Sequence, residues 1–348
     1  MNYGQVMQKI KNGLTGDVEK DREYLRGQII EYRDHFDSRE IAKSCIQMMY
    51  ELTPDAKVIA DSKKRALKEG EEPWRGVEAD FEEARLNKFQ RHYDTARQIS
   101  DELVRKVEEL AVFQDDDENE YKVFSEPMDE LLYVALFKPQ KRLRRAELPY
   151  VDIYYQNGGF NFDSRKYKEA AESFRKAIDW CPVNPMPMFE YMETLKELGD
   201  NGEYKKIALF TFKVATTPEM LAKSYRYLGH FYLTNKAWEP ALVCYRKSLK
   251  YHDVNGMAQR EMSYIKFRLF GKKTDYTEEE TSEICREFGI PEGPDPLVVS
   301  IAEENGQKYL DAEELDKAVY FFTIEQKLTK ERELKDLIDE LNEELLDL

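Results

Sequence analysis

Four histidines, four cysteines and a large pool of carboxylates are the side chains of this 348-residue chain with the widest chemical reach. The histidines are His35, His92, His230 and His252. They form no HExxH pair, and none stands at a recognised spacing from a cysteine or carboxylate. Cys45, Cys181, Cys244 and Cys285 are isolated, with no CxxC pair and no histidine at ligand spacing. Neither GxxxxGK[ST], GxGxxG nor GxSxG occurs. The acidic run DDDENE, from Asp115 to Glu120, lacks the glycine and closing glutamate of a calcium loop and reads as a solvated turn. Carboxylates are numerous enough to pair by chance on helix surfaces, so none is singled out as an acid or base. These residues predict a protein that is not an enzyme and carries neither cofactor nor metal.

Cationic side chains offer a different chemistry, the capture of anions. Lys138, Lys141, Arg142, Arg144 and Arg145 cluster in the middle of the chain. They either neutralise nearby acidic segments, including the 115–120 run, or meet an anionic partner. The formal net charge of −16 favours neutralisation, and it disfavours general binding to nucleic acid or anionic membrane. No segment reaches the roughly 20 apolar residues that span a bilayer. The amphipathic start MNYGQVMQKIKNG is unlike a signal peptide. Cys45, Cys244 and Cys285 fall among apolar helix positions, where a free thiol acts as a small hydrophobe. A cytoplasmic setting is expected. Hydrophobic residues at 41% can build a core, and charged ones at 35% suit long helices with solvated outer faces.

The elements that must position these groups come from a pattern with a period of about 34 residues. One copy, residues 222–255, has Tyr225, Leu228 and Tyr232 on a first helix with Gly229 beside them. Ala241, Tyr245 and Ser248 follow on a second. Another, residues 151–184, has Tyr154, Gly158, Ala170, Phe174, Ala177 and Pro182, but Asn157 and Asn161 at usually apolar places. A third, residues 299–332, has Ala302, Gly306, Tyr309, Leu315, Ala318 and Phe322, with Asn305 and Glu325 as departures. Weaker copies begin at Met188 and Gly256. In the first of these, Ile207 takes the small-residue place after the turn from Gly199 to Gly202. In the second, a GKKTD linker separates the two helices. The tail from Glu331 has Leu334, Leu337, Ile338, Leu341 and Leu345 on one face and acids on the other, as an end cap requires.

These residues resemble the tetratricopeptide repeat (TPR) over about 151–332. The resemblance implies an all-α fold, a TPR-like right-handed helical solenoid, with repeats and cap over 151–348. It also implies that the first helix of each pair lines a concave face. On that mapping the face presents Tyr155, Phe162, Phe189, Met192, Lys196, Lys223, Arg226, His230, Arg260 and Tyr264, with Met257 and Phe267 on the same line. Such a groove would take a protein or an acidic peptide, with Lys223, Arg226 and Arg260 on carboxylates and the aromatic residues on apolar side chains. The alternative is that another part of the chain fills it. Tyr155 and Gly159 stand at the first two positions of the family's chaperone-tail clamp, which speaks against that specialised use.

Residues 1–150 show no clean repeat and read as an N-terminal helical region. Leu25, Ile29, Tyr32 and Phe36 follow helical spacing. Asp37–Glu40 forms a capping box before Ile41, Cys45, Met48 and Leu52, and a further helix is expected over 55–69, with a break at 70–76. The stripe Leu86, Phe89, Tyr93, Ala96, Ile99, Leu103, Val107 and Leu110 predicts one long helix over 77–113. At about 1.5 Å per residue it would reach about 50 Å, laid across the fold or extended as a coiled-coil arm. YKVFS reads as a short strand or extended segment, and MDELLYVALF as a short apolar helix ended by Pro139. The leading functional expectation is a scaffold that binds a protein or peptide. The second is a peptide-sensing regulator, because a helical front half before the repeats resembles Rap-type receptors, although the groove lacks their backbone-holding asparagines.

Overall fold

The computed structural model describes residues 3–32, 41, 44, 45, 48, 52, 75–253 and 255–347. The described chain divides into two compact units, Met1–Leu110 and Ala111–Leu348. The division falls upstream of the 150/151 boundary expected from the repeats, because residues 111–149 share a core with the repeats. His35, Phe36, the capping box at 37–40, the helix at 55–69 and most of the break at 70–76 lie outside the described residues.

In the first unit, α1 (Tyr3–Asn12) and α2 (Val18–Glu31) bury Val6, Met7, Ile10, Leu25 and Tyr32 together with Ile41 and Cys45. The expected long helix is two helices, α3 (Arg75–Phe89) and α4 (Tyr93–Leu110). Arg91 adopts a left-handed conformation (φ 63°), and the His92 amide closes back on the Asn87 carbonyl at 2.8 Å. The chain then reverses, so that Lys106 meets Asp80 at 2.7 Å. Tyr93, placed in the continuous stripe, is 57% exposed. The buried face of α4 is Ala96, Ser100, Leu103 and Val107.

The second unit opens with β1 (Asn119–Lys122), α5 (Pro127–Phe137) and β2 (Arg142–Arg145), the two strands pairing in parallel. Five pairs of helices follow. They are α6 (Tyr150–Asp163) and α7 (Tyr167–Trp180), α8 (Pro185–Leu198) and α9 (Asn201–Phe212), α10 (Pro218–Thr234) and α11 (Trp238–Tyr251), α12 (Gly256–Arg268) and α13 (Glu278–Phe288), and α14 (Pro296–Asp311) and α15 (Leu315–Thr329). The closing helix α16 (Arg332–Asp347) lays Leu334, Leu337, Ile338 and Leu341 on Ala318 and Phe322 of α15.

The glycines explain why the hairpins close. A Cβ on Gly158 would meet the Phe174 ring at 2.7 Å, one on Gly229 the Tyr245 ring at 3.2 Å, and one on Gly306 the Phe322 ring at 2.5 Å. In three separate copies the first helix thus gives up a side chain where the second inserts a ring. The small residues Ala170, Ala177, Ala241, Ser248 and Ala318 are all fully buried. The departures have local answers. Asn157 Oδ1 accepts from Asn161 Nδ2 at 3.0 Å and from Ser173 Oγ at 2.8 Å, which pairs these buried amides. Asn305 donates to the Ile301 carbonyl. Glu325 is buried with Oε2 unpartnered, and burial pushes its carboxyl up to about 7. In the second pair Ile207 is only half-buried, and the small residue packed at the interface is Ala208. Its hairpin turn is shorter, and Tyr204 takes a bulky place on the same face.

The fourth pair departs most. Both α12 and α13 pack on α11, and the end of α13 and the chain beyond it return to α10, where Tyr232 donates to the Phe288 carbonyl at 2.5 Å and Tyr225 to the Pro291 carbonyl at 2.7 Å. Helix α5 packs Met128, Leu132 and Tyr133 into one core with Val151, Cys181 and Val214 from the early repeats and Val298, Phe321 and Leu328 from the last. The basic cluster is largely answered at home: Arg145 pairs with Glu130, Arg144 bonds Asn119, and Lys141 bonds the Asp116 carbonyl. Asp116 itself accepts from the amides of Glu118 and Asn119, as a turn-forming aspartate does. No described helix is long and apolar enough to cross a membrane.

Candidate functional site

Helix α8 begins with Pro185 at its first position and Asn184 capping Met186 N–H at 2.9 Å. Helix α10 begins in the same manner, with Pro218 first and Thr217 capping Met220 N–H at 3.2 Å. Asn255 Oδ1 caps α12 at Ala258 N–H, 2.9 Å away. These starts fix three neighbouring first helices, and a cleft of about 320 Å³ lies among them. Lys196 and Glu193 of α8 line it, with Lys223, Arg226, Tyr227 and His230 of α10. Tyr245 of α11 enters from the second-helix layer, and Asn255, Met257 and Glu261 close the α12 side. Spacing of three and four residues puts the α10 group on one helix face.

The charges in the cleft are unevenly paired. Lys196 meets Glu193 at 2.8 Å and sits 4.9 Å from the Tyr227 ring centre. Lys223 stands 3.9 Å from Glu190 and 4.5 Å above the Phe189 ring. Burial lowers the Lys223 pKa more than Glu190 restores it. The Glu190 carboxyl is in turn pushed up by its own burial, with Lys223 pulling the other way. Arg226 is half-buried, and its Nη1 is buried with no hydrogen-bond partner. Burial lowers its pKa, opposed only by the ring hydroxyls of Tyr227 and Tyr245. A guanidinium holds its proton through any such shift, so Arg226 is a cation in the cleft wall with no ion pair among the described residues. Burial, helped by Lys196, lowers His230 to about 4, so its ring is neutral near pH 7.

The residues expected from the sequence separate into three groups. Lys196, Lys223, Arg226 and His230 come together in the cleft, with Met257. Phe189 and Met192 do not face a ligand. Both are 0% exposed, packed with Leu195, Tyr204 and Ala208, and Phe189 stacks on Tyr227 at 5.2 Å. Tyr155 and Phe162 are half-buried against that same core, Tyr155 edge-on to Phe174. Arg260 and Tyr264 are exposed on α12 outside the cleft. Tyr264 belongs to an apolar face that runs from Met257 to Phe267 and Phe270, the last two 73% and 91% exposed. Glu193, Tyr227, Tyr245, Asn255 and Glu261 also line the cleft. One turn added to the α8 and α12 faces would have found Glu193 and Glu261. Tyr245 lies on a second helix, where a consensus reading sees only packing.

No family model matches the chain, and no curated protein sequence matches it. Among solved structures, the first TPR of Spaghetti (RPAP3), bound to the HSP90 peptide SRMEEVD, is similar over 35% of this chain and 94% of that one, at 20% identity and a TM-score of 0.33.

Proposed function

We propose that this chain is a non-enzymatic, TPR-like scaffold that holds a protein or peptide in the cleft between α8, α10 and α12. The observation that carries this reading is Arg226. A half-buried guanidinium is costly to leave without an anion, and this one lines a cavity beside two lysines while its buried Nη1 has no hydrogen-bond partner among the described residues. A carboxylate from an acidic peptide, on a side chain or at its C-terminus, supplies the missing partner. Lys223 and Lys196, already shared with Glu190 and Glu193, adjust around it. The exposed face of Met257, Tyr264 and Phe267 continues from the cleft and suits apolar side chains on the same peptide.

Fluorescence anisotropy with the full chain and a set of labelled acidic peptides, carrying either a free or an amidated C-terminus, tests this. Arg226→Gln keeps the length and polarity of the side chain and removes its charge. Binding is expected to weaken about 10- to 100-fold, as when one member of a buried charge pair is lost. Binding that is the same in the variant, or that follows total peptide charge without saturating, would remove the cleft from consideration.

A further inference from the structure

A second cavity lies elsewhere in the repeat unit and has the opposite character. It measures about 260 Å³ and is lined by Phe113, Asp115, Tyr121, Lys122, Asp179 and Trp180. Its rings are held firmly. Trp180, at the end of α7, stacks flat on Tyr150 with centroids 3.9 Å apart and planes within 1°. Tyr150 is anchored by its hydroxyl, which donates to the Val112 carbonyl at 2.8 Å. Val123 N–H bonds the Trp180 carbonyl at 3.0 Å, which ties the chain after β1 to the end of α7. Phe113 lies 5.8 Å from the Tyr121 ring. To bring it there the backbone is left-handed at both Ala111 (φ 46°) and Phe113 (φ 56°). For residues with a Cβ that conformation costs on the order of 1 kcal/mol each, and such strain collects at functional sites.

The charge lining those rings is negative. Lys122 is the one cation, and it is engaged by Glu120 at 3.3 Å and Asp115 at 3.8 Å. Asp115 is fixed by accepting from Tyr121 N–H at 2.8 Å. Asp179 makes no hydrogen bond or direct ion pair among the described residues; burial raises its pKa, and the fields of Arg175 and Lys122 oppose that from a distance. Glu120 offsets Lys122, which leaves Asp115 and Asp179 as surplus negative charge beside three π systems.

We propose that this cavity binds an alkylammonium group, its cationic head among Phe113, Tyr121 and Trp180 and its charge answered by Asp179 and Asp115. Aromatic faces attract cations through their quadrupoles, and the attraction grows when the cation is desolvated. The volume lies just under the usual range for a whole small-molecule ligand, about 300–1,000 Å³, so the site suits the end of a side chain or a quaternary ammonium head. It is separate from the Arg226 cleft, and neither reading depends on the other.

The test is calorimetric titration of the full chain with N-acetyl-lysine methylamide, its trimethylated form and choline, beside 3,3-dimethylbutanol as the neutral isostere of choline. Tryptophan emission is followed in parallel, with Trp180→Phe identifying the reporter. Saturable binding of at least one cation, and none of the alcohol, is expected. Asp179→Asn should weaken it about fivefold and Tyr121→Leu about tenfold, in line with one desolvated cation–π or ionic contact each. Asp179 is exposed, so its amide variant folds and keeps the experiment decisive. Preference for the lysine derivatives assigns the site to a partner's basic side chain, and preference for choline to a free quaternary amine. Equal binding of the alcohol and the cations, or no saturation by any cation, overturns the proposal.

Discussion

Two cavities of similar size face opposite chemistries in one helical unit, and they are built differently. The Arg226 cleft is made by repetition. Three first helices present residues at helical spacing, and a second-helix ring, Tyr245, forms part of its wall. The Trp180 cavity is made by exception. It joins the end of one repeat helix to residues 113–122, which belong to no repeat and reach their place through two left-handed residues. A solenoid therefore supplies cationic or anionic sites by different routes: by substitution on a regular face, or by docking an irregular segment on its edge. The first site should respond to changes in helix packing. The second should be indifferent to changes at α10 and α11.

The largest effect that separates the two sites is expected from adding a methyl group to a packing glycine. Gly158→Ala puts a Cβ 2.7 Å from the buried Phe174 ring, and Gly229→Ala puts one 3.1 Å from Cys244 Cβ and 3.2 Å from the Tyr245 ring. Overpacking of this kind costs about 1–3 kcal/mol, with Gly158→Ala toward the upper end because its contact is closer. Gly229→Ala also displaces the Tyr245 ring that lines the basic cleft, so acidic-peptide binding weakens while alkylammonium binding is unchanged. Urea midpoints and the two titrations read both halves. Equal midpoints for wild type and Gly158→Ala would mean that the hairpin does not close as described.

Much of the repeat architecture was readable because close approach leaves a signature in residue size. Gly158 with Phe174, Gly229 with Tyr245 and Gly306 with Phe322 each pair a missing side chain with a ring sixteen residues later in the chain. Which stripe of a first helix faces a ligand was less readable. Helix α8 is apolar around most of its circumference, so Phe189 and Met192 gave the same signal as groove residues although both are core. The break between α3 and α4 left no glycine or proline to mark it, only Arg91 in a conformation that sequence does not announce. The Trp180 cavity could not be read at all. It brings residues about 60 positions apart together through tertiary packing.

A smaller effect concerns pH. His230 is pressed down to about 4 by burial and by Lys196, with Glu193 opposing. Tyr204 lies 6.1 Å from its ring, and Arg226 shares the cleft. An unfolded imidazole titrates near 6.5, so between that value and about 4 the unfolded chain binds a proton that the folded chain refuses. The stabilising contribution is therefore complete above pH 6.5 or so and is lost as pH falls toward 4. For a half-buried ring, screening leaves about 1 kcal/mol. His230→Gln should flatten that part of the stability profile, as measured by denaturant midpoints at several pH values. An identical slope in both proteins would place the titration elsewhere. No histidine lines the Trp180 cavity, so alkylammonium affinity should not follow the His230 titration.

The smallest effect lies in the turns behind the two sites. Arg165 (φ 60°), between α6 and α7, and Lys236 (φ 59°), between α10 and α11, hold the same left-handed conformation at equivalent places in their hairpins. A side chain in that region is strained, and glycine is not, so Arg165→Gly and Lys236→Gly should each stabilise the fold, by about 0.5–1 kcal/mol after glycine's greater unfolded-state entropy is subtracted. A rise in melting temperature of a few degrees at most is expected from a change of that size. Both turns lie away from the lining residues, so neither ligand's affinity should move. A variant that gains stability and also alters binding at the Trp180 cavity would show that the α6–α7 hairpin flexes against residues 113–122, and the irregular site would then depend on the repeats after all.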